Sequence, residues 1–315
     1  MDGGSIHGTL GTALLTSRNR KEWIVTALSV ATLLLLAVYE LLFGRLFPLS
    51  PVVIGFSRQD HDNYVVFHHG QPGLPQLWYL SDVVSAEEKY HGMSFSSKPE
   101  VFFCKDDAEF RRLSGGKARF NAINGRLFVS QRAQDDARDG RIDLRTYLTH
   151  EMAHCLLQQH MSLLRSAQMP RWLMEGVAMD CAGQVGVGVY PAKSEVYQAV
   201  AQGIFCEPAD FGTVLRGEKG TAISCSLTNK TAFFYSQFGC MIEFLRSSYG
   251  TQRYQAFLRD VVESRSLNVE KSLEAVFGRN LHDEISRFKN ETKKPNAENR
   301  QKSAGDTDGS VQSRP

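Results

Sequence analysis

Residues 148–160 read LTHEMAHCLLQQH. Three histidines, His150, His154 and His160, share this stretch with Glu151. A helix turns about 100° per residue, so positions i and i+4 lie on one face. His150 and His154 can therefore offer two imidazole nitrogens to one ion. Glu151 lies one step round from His150, near that ion without having to bind it. That placement suits a general base acting on metal-held water. The flanking apolar residues Leu144, Leu148, Met152, Leu156 and Met161 recur at helical spacing, and no Gly or Pro interrupts them before Pro170.

A hydrolytic zinc site takes three protein ligands and leaves a position for water. Two residues compete for the third place. His160 would need a sharp turn after His154, but Leu157 stands where a glycine would make it, and Leu resists positive φ. On an unbroken helix His160 lies about 240° round from His154. The other candidate is Glu175 in PRWLMEGVA, 21 residues beyond His154. The intervening chain can hold the end of one helix, a loop through Pro170, and the start of a second helix over 171–182 that packs back.

HEMAH followed by WLMEGVA resembles the gluzincin metallopeptidases, in particular their peptidase MA-like and aminopeptidase-N-like branch. The resemblance covers roughly residues 99–289, because FFYSQFGCMIEFLRSSYG (233–250) is similar to that group's downstream helix. It implies a zincin-like catalytic domain with one Zn²⁺ per chain held by His150, His154 and Glu175. It also implies Glu151 as general base on zinc-bound water, and a peptide or protein as substrate. Tyr235, on the downstream helix, is the candidate stabiliser of the developing oxyanion; its alternative role is a core tyrosine on an aromatic-rich face. Some members carry an Asp four residues after the ligand Glu. Here that position is Met179, and Asp180 is rotated about 100° from it. Support for the histidines is then expected elsewhere, such as from a backbone carbonyl. The chain lacks the G-A-M-E-N exopeptidase signature, which favours an endopeptidase. Residues 127–130, just before the metal helix, are the expected edge strand for pairing with an extended substrate.

Strands precede helices, so the fold expected is α+β, a small N-terminal sheet followed by a helical C-terminal lobe. PEVFFCKD (99–106) reads as a buried strand followed by a short helix. FNAINGRLFVS (120–130) places Asn-Gly between apolar runs, a hairpin signal. Further helices are expected over residues 231–250 and in three segments beyond. Residues 44–98 read as a linker with N-terminal strands, 99–289 as the catalytic domain, and 290–315, almost free of large apolar residues, as a disordered tail.

Residues 23–43, WIVTALSVATLLLLAVYELLF, carry one charge, Glu40, and are long enough to cross a bilayer as a helix. Arg18, Arg20 and Lys21 precede them, which places residues 1–22 in the cytoplasm and the remainder outside. A cleaved signal peptide would have a shorter apolar core and a small-x-small cleavage site, which LFGRLFPLSP does not offer. The lipid bilayer is thus an expected partner. The net charge of +2 without a basic stripe argues against nucleic acid.

Six cysteines lie beyond this segment, where disulfides are permitted; Cys206–Cys225 is the first expected bridge, and Cys155 and Cys240 read equally well as buried thiols. His61, His68 and His69 are set aside as an accessory site, since neighbours on a strand face opposite ways. Asn229 and Asn290 match glycosylation sequons. Two functions compete: a membrane-anchored zinc peptidase, and a non-hydrolytic zinc-stabilised binding or assembly module with the same fold. A structural site needs no base and is usually closed by four protein ligands, so Glu151 favours the peptidase.

Overall fold

The computed structural model describes residues 10–70, 77–217, 229–264 and 268–294. The chain begins with α1 (Leu10–Phe43), which starts upstream of the expected anchor. Its segment Glu22–Phe43 has mean hydropathy 2.1, has no fully buried residue among the described ones, and is long and apolar enough to cross a membrane.

A five-stranded mixed sheet follows, from β1 (Ser57–Asp60), β2 (Val65–His68), β3 (Glu100–Phe103), β4 (Phe120–Ile123) and β5 (Arg126–Val129), in spatial order β1-β2-β3-β5-β4. The strands before residue 99 thus belong to the same sheet as those after it. α2 (Leu80–His91) and α3 (Asp107–Ser114) lie between strands in sequence. The run EVFF is apolar on both faces because both are covered. Val101 and Phe103 meet the core shared with α2, whereas Phe102 packs with Phe47, Phe67 and Phe128 on the other side. Asn124 and Gly125, with φ of 52° and 73°, make the tight turn joining β4 to β5.

The expected edge strand is corrected by this topology. β5 pairs with β3 on one side and β4 on the other, so residues 126–129 have no free edge. The hairpin places β4 outermost. Ser130 N–H donates to the Arg119 carbonyl at 3.0 Å. Alternation along an antiparallel pair then points the backbone groups of Phe120 and Ala122 away from β5.

The helices α4 (Gln131–Arg138), α5 (Leu144–Gln159), α6 (Leu163–Gln168), α7 (Arg171–Cys181), α8 (Lys193–Ala201), α9 (Lys230–Tyr249), α10 (Thr251–Glu263), α11 (Val269–Phe277) and α12 (Leu281–Thr292) complete the described chain. Asp143 caps α5 by accepting from Arg145 N–H, and Asn229 caps α9 by accepting from Ala232 N–H. α5 ends before Met161, which falls in the following turn. α12 continues through Thr292, so residues 290–292 are helical rather than part of a tail; residues 295–315 lie outside the described part. Leu148, Met152 and Cys155 bind α5 to the sheet and α2, while Leu156 and Leu157 join the helical core. α5 is therefore the shared wall of both lobes.

α7 and α9 approach closely at two glycines. A Cβ on Gly176 would lie 2.8 Å from both the Phe238 carbonyl oxygen and Ile242 Cγ1. One on Gly239 would lie 2.8 Å from Val185 Cγ2 and 2.9 Å from Met179 Cβ. Gly176→Ala is expected to destabilise the fold by about 1–3 kcal/mol through overpacking, read as a lower Tm in thermal denaturation. An unchanged Tm would mean that α7 and α9 are not this close.

Candidate metal centre

His150 and His154 project from one face of α5 and are buried. Glu175 comes from α7, which packs against α5 in the helical lobe. Their donor atoms converge. His150 Nε2 and His154 Nε2 are 3.2 Å apart, and Glu175 Oε2 lies 3.3 Å from the first and 3.5 Å from the second. Four ligands placed tetrahedrally at about 2.0–2.1 Å from zinc sit about 3.4 Å from one another. The three separations match that figure, so the residues fit a zinc ion. Lone pairs gathered this closely need a shared cation or proton between them. Burial by itself would raise the Glu175 carboxyl, but the hydrogen bonds from His150 and His154 outweigh it and hold it well below the usual carboxylate range.

The support expected for the histidines is not met by any group among the described residues. Nδ1 of His150 and Nδ1 of His154 are buried without a hydrogen-bond partner. Asp180 is turned elsewhere, as its helical position requires. It accepts from Tyr90 Oη at 2.5 Å and from the Arg246 guanidinium at 2.8 and 3.1 Å. It thereby ties α2, α7 and α9 together.

Glu151 is partly buried beside His150. Burial pushes its carboxyl up to about 7, against the opposing pull of His150 and of the Ala122 N–H that bonds to it. The Ala122 carbonyl accepts from Gln158 Nε2 at 2.9 Å. Both outward backbone groups of Ala122 are thus engaged by α5, which leaves Phe120 as the neighbouring outward position on the β4 edge.

Tyr235 of α9 stacks parallel to His150 with ring centroids 6.4 Å apart. Burial raises its phenol well above the ordinary value, reinforced by the charge of Glu175; its side chain hydrogen-bonds with Arg171 and Glu175. His160 lies outside the centre. It caps the end of α5, with Nε2 2.8 Å from the Ser94 carbonyl oxygen. His68 and His69 also part company: His68 Nδ1 accepts from Gly70 N–H at 2.8 Å, and His69 Nε2 is 2.9 Å from Glu109 Oε2.

His150, Glu151, His154, Glu175 and Tyr235 line a cleft of about 520 Å³ between β4, α5 and α7. Three of its residues escape the sequence reading. Arg171 stands one helical turn before Glu175 and lies over the Phe211 ring at 4.6 Å; its i, i+4 spacing was the available signal. Tyr190, stacked on Tyr235 at 6.2 Å, comes from a loop with no local signature. Phe120 becomes a cleft residue through the strand order alone.

Of the cysteines, Cys104, Cys155, Cys181 and Cys240 are thiols. Cys225 lies outside the described residues, and the expected Cys206–Cys225 bridge with it. A second buried group joins Glu87 and His91 of α2 to Cys181 of α7. Burial pushes the Glu87 carboxyl up to about 8, opposed by a hydrogen bond from Cys181, and pushes His91 down to about 4.

No protein-family model matches this chain, and no curated protein matches it. Among solved structures it is similar to the crystal structure of a two-domain M1 zinc metallopeptidase mutant bound to L-arginine. The identity is 13% and the TM-score 0.43, over 76% of this chain and 52% of that one. The chain spans about half the length of that structure.

Proposed function

We propose that the chain is a membrane-anchored, zinc-dependent peptidase of the gluzincin type, with its zincin-like domain outside the cytoplasm. The supporting observation is the convergence of His150, His154 and Glu175 to 3.2–3.5 Å, with the carboxylate of Glu151 beside them. The length and apolarity of Glu22–Phe43 support the anchor, and the basic residues ahead of it support the orientation.

Zinc, when bound, supplies Lewis acidity for a water and a scissile carbonyl. The chain's own residues do the rest. Glu151 takes a proton from the attacking water and delivers it to the leaving nitrogen. Tyr235 and Arg171 stand where donors can stabilise the negative charge that develops on the carbonyl oxygen. An extended peptide adds to β4, using the N–H and C=O of Phe120. The exposed side chains of Val189 and Val214 at the cleft offer apolar contact to its side chains. The absence of an exopeptidase signature favours cleavage within a chain.

The direct test is hydrolysis of a mixed peptide library by the full chain in detergent. Activity should vanish with a chelator and return with zinc. Tyr235→Phe is expected to lower kcat about 100-fold, the scale for removing one oxyanion donor. Metal content should stay unchanged in that variant; an unaltered kcat would leave Tyr235 a packing residue. The base must be deprotonated to act, and burial sets Glu151 near 7. Activity should therefore fall as pH drops through an acid limb at or below that value, since a bound cation shifts the limb down. A pH–rate profile that is flat across the acid range would remove Glu151 from the proton transfer.

A further inference from the structure

α2 and α7 enclose a second set of donors, separate from the His150 centre. Glu87 and His91 stand one turn apart on α2, and Cys181 is the last residue of α7. The side chains of Glu87 and His91 are 0% exposed. The Cys181 thiol donates to Glu87 Oε1 at 3.2 Å; His91 Nδ1 donates to the Glu87 carbonyl oxygen at 2.9 Å and lies 3.3 Å from Glu87 Oε2, which leaves His91 Nε2 as the ring atom able to bind an ion. One ligand atom from each residue lies within 4.8 Å of the other two. Two buried atoms in the group, Glu87 Oε2 and His91 Nε2, have no hydrogen-bond partner among the described residues. Buried polar atoms are nearly always satisfied, and buried carboxylates are normally paired or bound to a metal. Carboxylate, imidazole and thiolate together form a donor set suited to zinc and similar borderline ions.

The geometry points to a second metal site in which Glu87, His91 and Cys181 supply three of the ligands of a zinc ion that clamps α2 to α7. Cys181 follows Glu175 by six residues, about 240° round the helix, so α7 presents the two residues in different directions. A clamp there fixes the rotation of α7 and hence the direction of Glu175. The adjoining Asp180 network with Tyr90 and Arg246 joins the same helices independently of any ion. The inference does not depend on the His150 centre being a peptidase, and its readout is not activity.

Cobalt(II) distinguishes the two centres. A thiolate ligand gives cobalt an intense near-ultraviolet charge-transfer absorption, and His150, His154 and Glu175 contain no sulfur. The cobalt-loaded full chain is expected to show this absorption, to keep it in E175A, and to lose it in C181A. Its absence from the saturated wild-type protein would overturn the site, as would its survival in folded C181A. If C181A does not fold, H91Q keeps the thiol and serves instead. There the cobalt titration followed at that band should weaken at least about tenfold, and an unchanged titration would overturn the site.

Discussion

Glu151→Gln is expected to abolish peptide hydrolysis while leaving the metal in place. The amide is nearly isosteric and keeps an oxygen to accept from the Ala122 N–H, so the β4–α5 contact survives. It cannot take a proton from water. Removal of a positioned general base costs about 10²–10⁴ in rate. His150, His154 and Glu175 are untouched, so zinc content measured by elemental analysis should match the wild type. This pairing of outcomes separates the two functional readings. A binding or assembly module needs its ligands but has no use for the base, so wild type and E151Q would then be equally inert over a broad peptide library. That result would end the hydrolase proposal.

Glu175→Ala carries the next largest effect. Its carboxylate lies between two imidazoles, and its hydrogen bonds with them keep it ionised despite burial. Alanine leaves a two-histidine site with no compensating negative charge, too few ligands for a hydrolytic zinc centre. Loss of an outer partner of a ligand costs about 10–100-fold in metal affinity, so loss of the ligand itself should exceed about 100-fold. Zinc titration against a competing chelator would measure it. His160→Ala is the matched control, because its ring serves the Ser94 carbonyl at the end of α5. It should bind zinc as the wild type does. Equal zinc affinity in E175A and wild type would remove Glu175 from the centre.

The resemblance of HEMAH and WLMEGVA to gluzincins pointed to residues that the fold brings together, and the reason is local. Helical periodicity sets His150 and His154 on one face whatever surrounds the helix, and the Asn-Gly turn sets the hairpin between β4 and β5. α2 was harder to read. Its inner stripe, Leu80, Val83, Val84, Glu87 and His91, has helical spacing, but its last two members are a buried acid and a buried histidine. A hydrophobic pattern therefore stops halfway, and Tyr79 at its start gives no side-chain cap. The misplaced substrate edge has a different cause. Strand β5 (RLFV) carries a continuous buried apolar run and strand β4 (FNAI) does not, but which of them lies outermost is fixed only when β3 takes β5 as a parallel neighbour.

The chemistry on offer along each helix is legible in the residues alone, because side-chain direction repeats every few residues. So is the apolar first helix, whose length and composition need no partner to be read. Long-range packing turns Glu175 of α7 toward the imidazoles rather than toward solvent, and sets β4 along the cleft. It alone joined Glu87 and His91 to Cys181, 90 residues further along the chain at the nearest. Such meetings depend on how distant elements pack, and no local period encodes them.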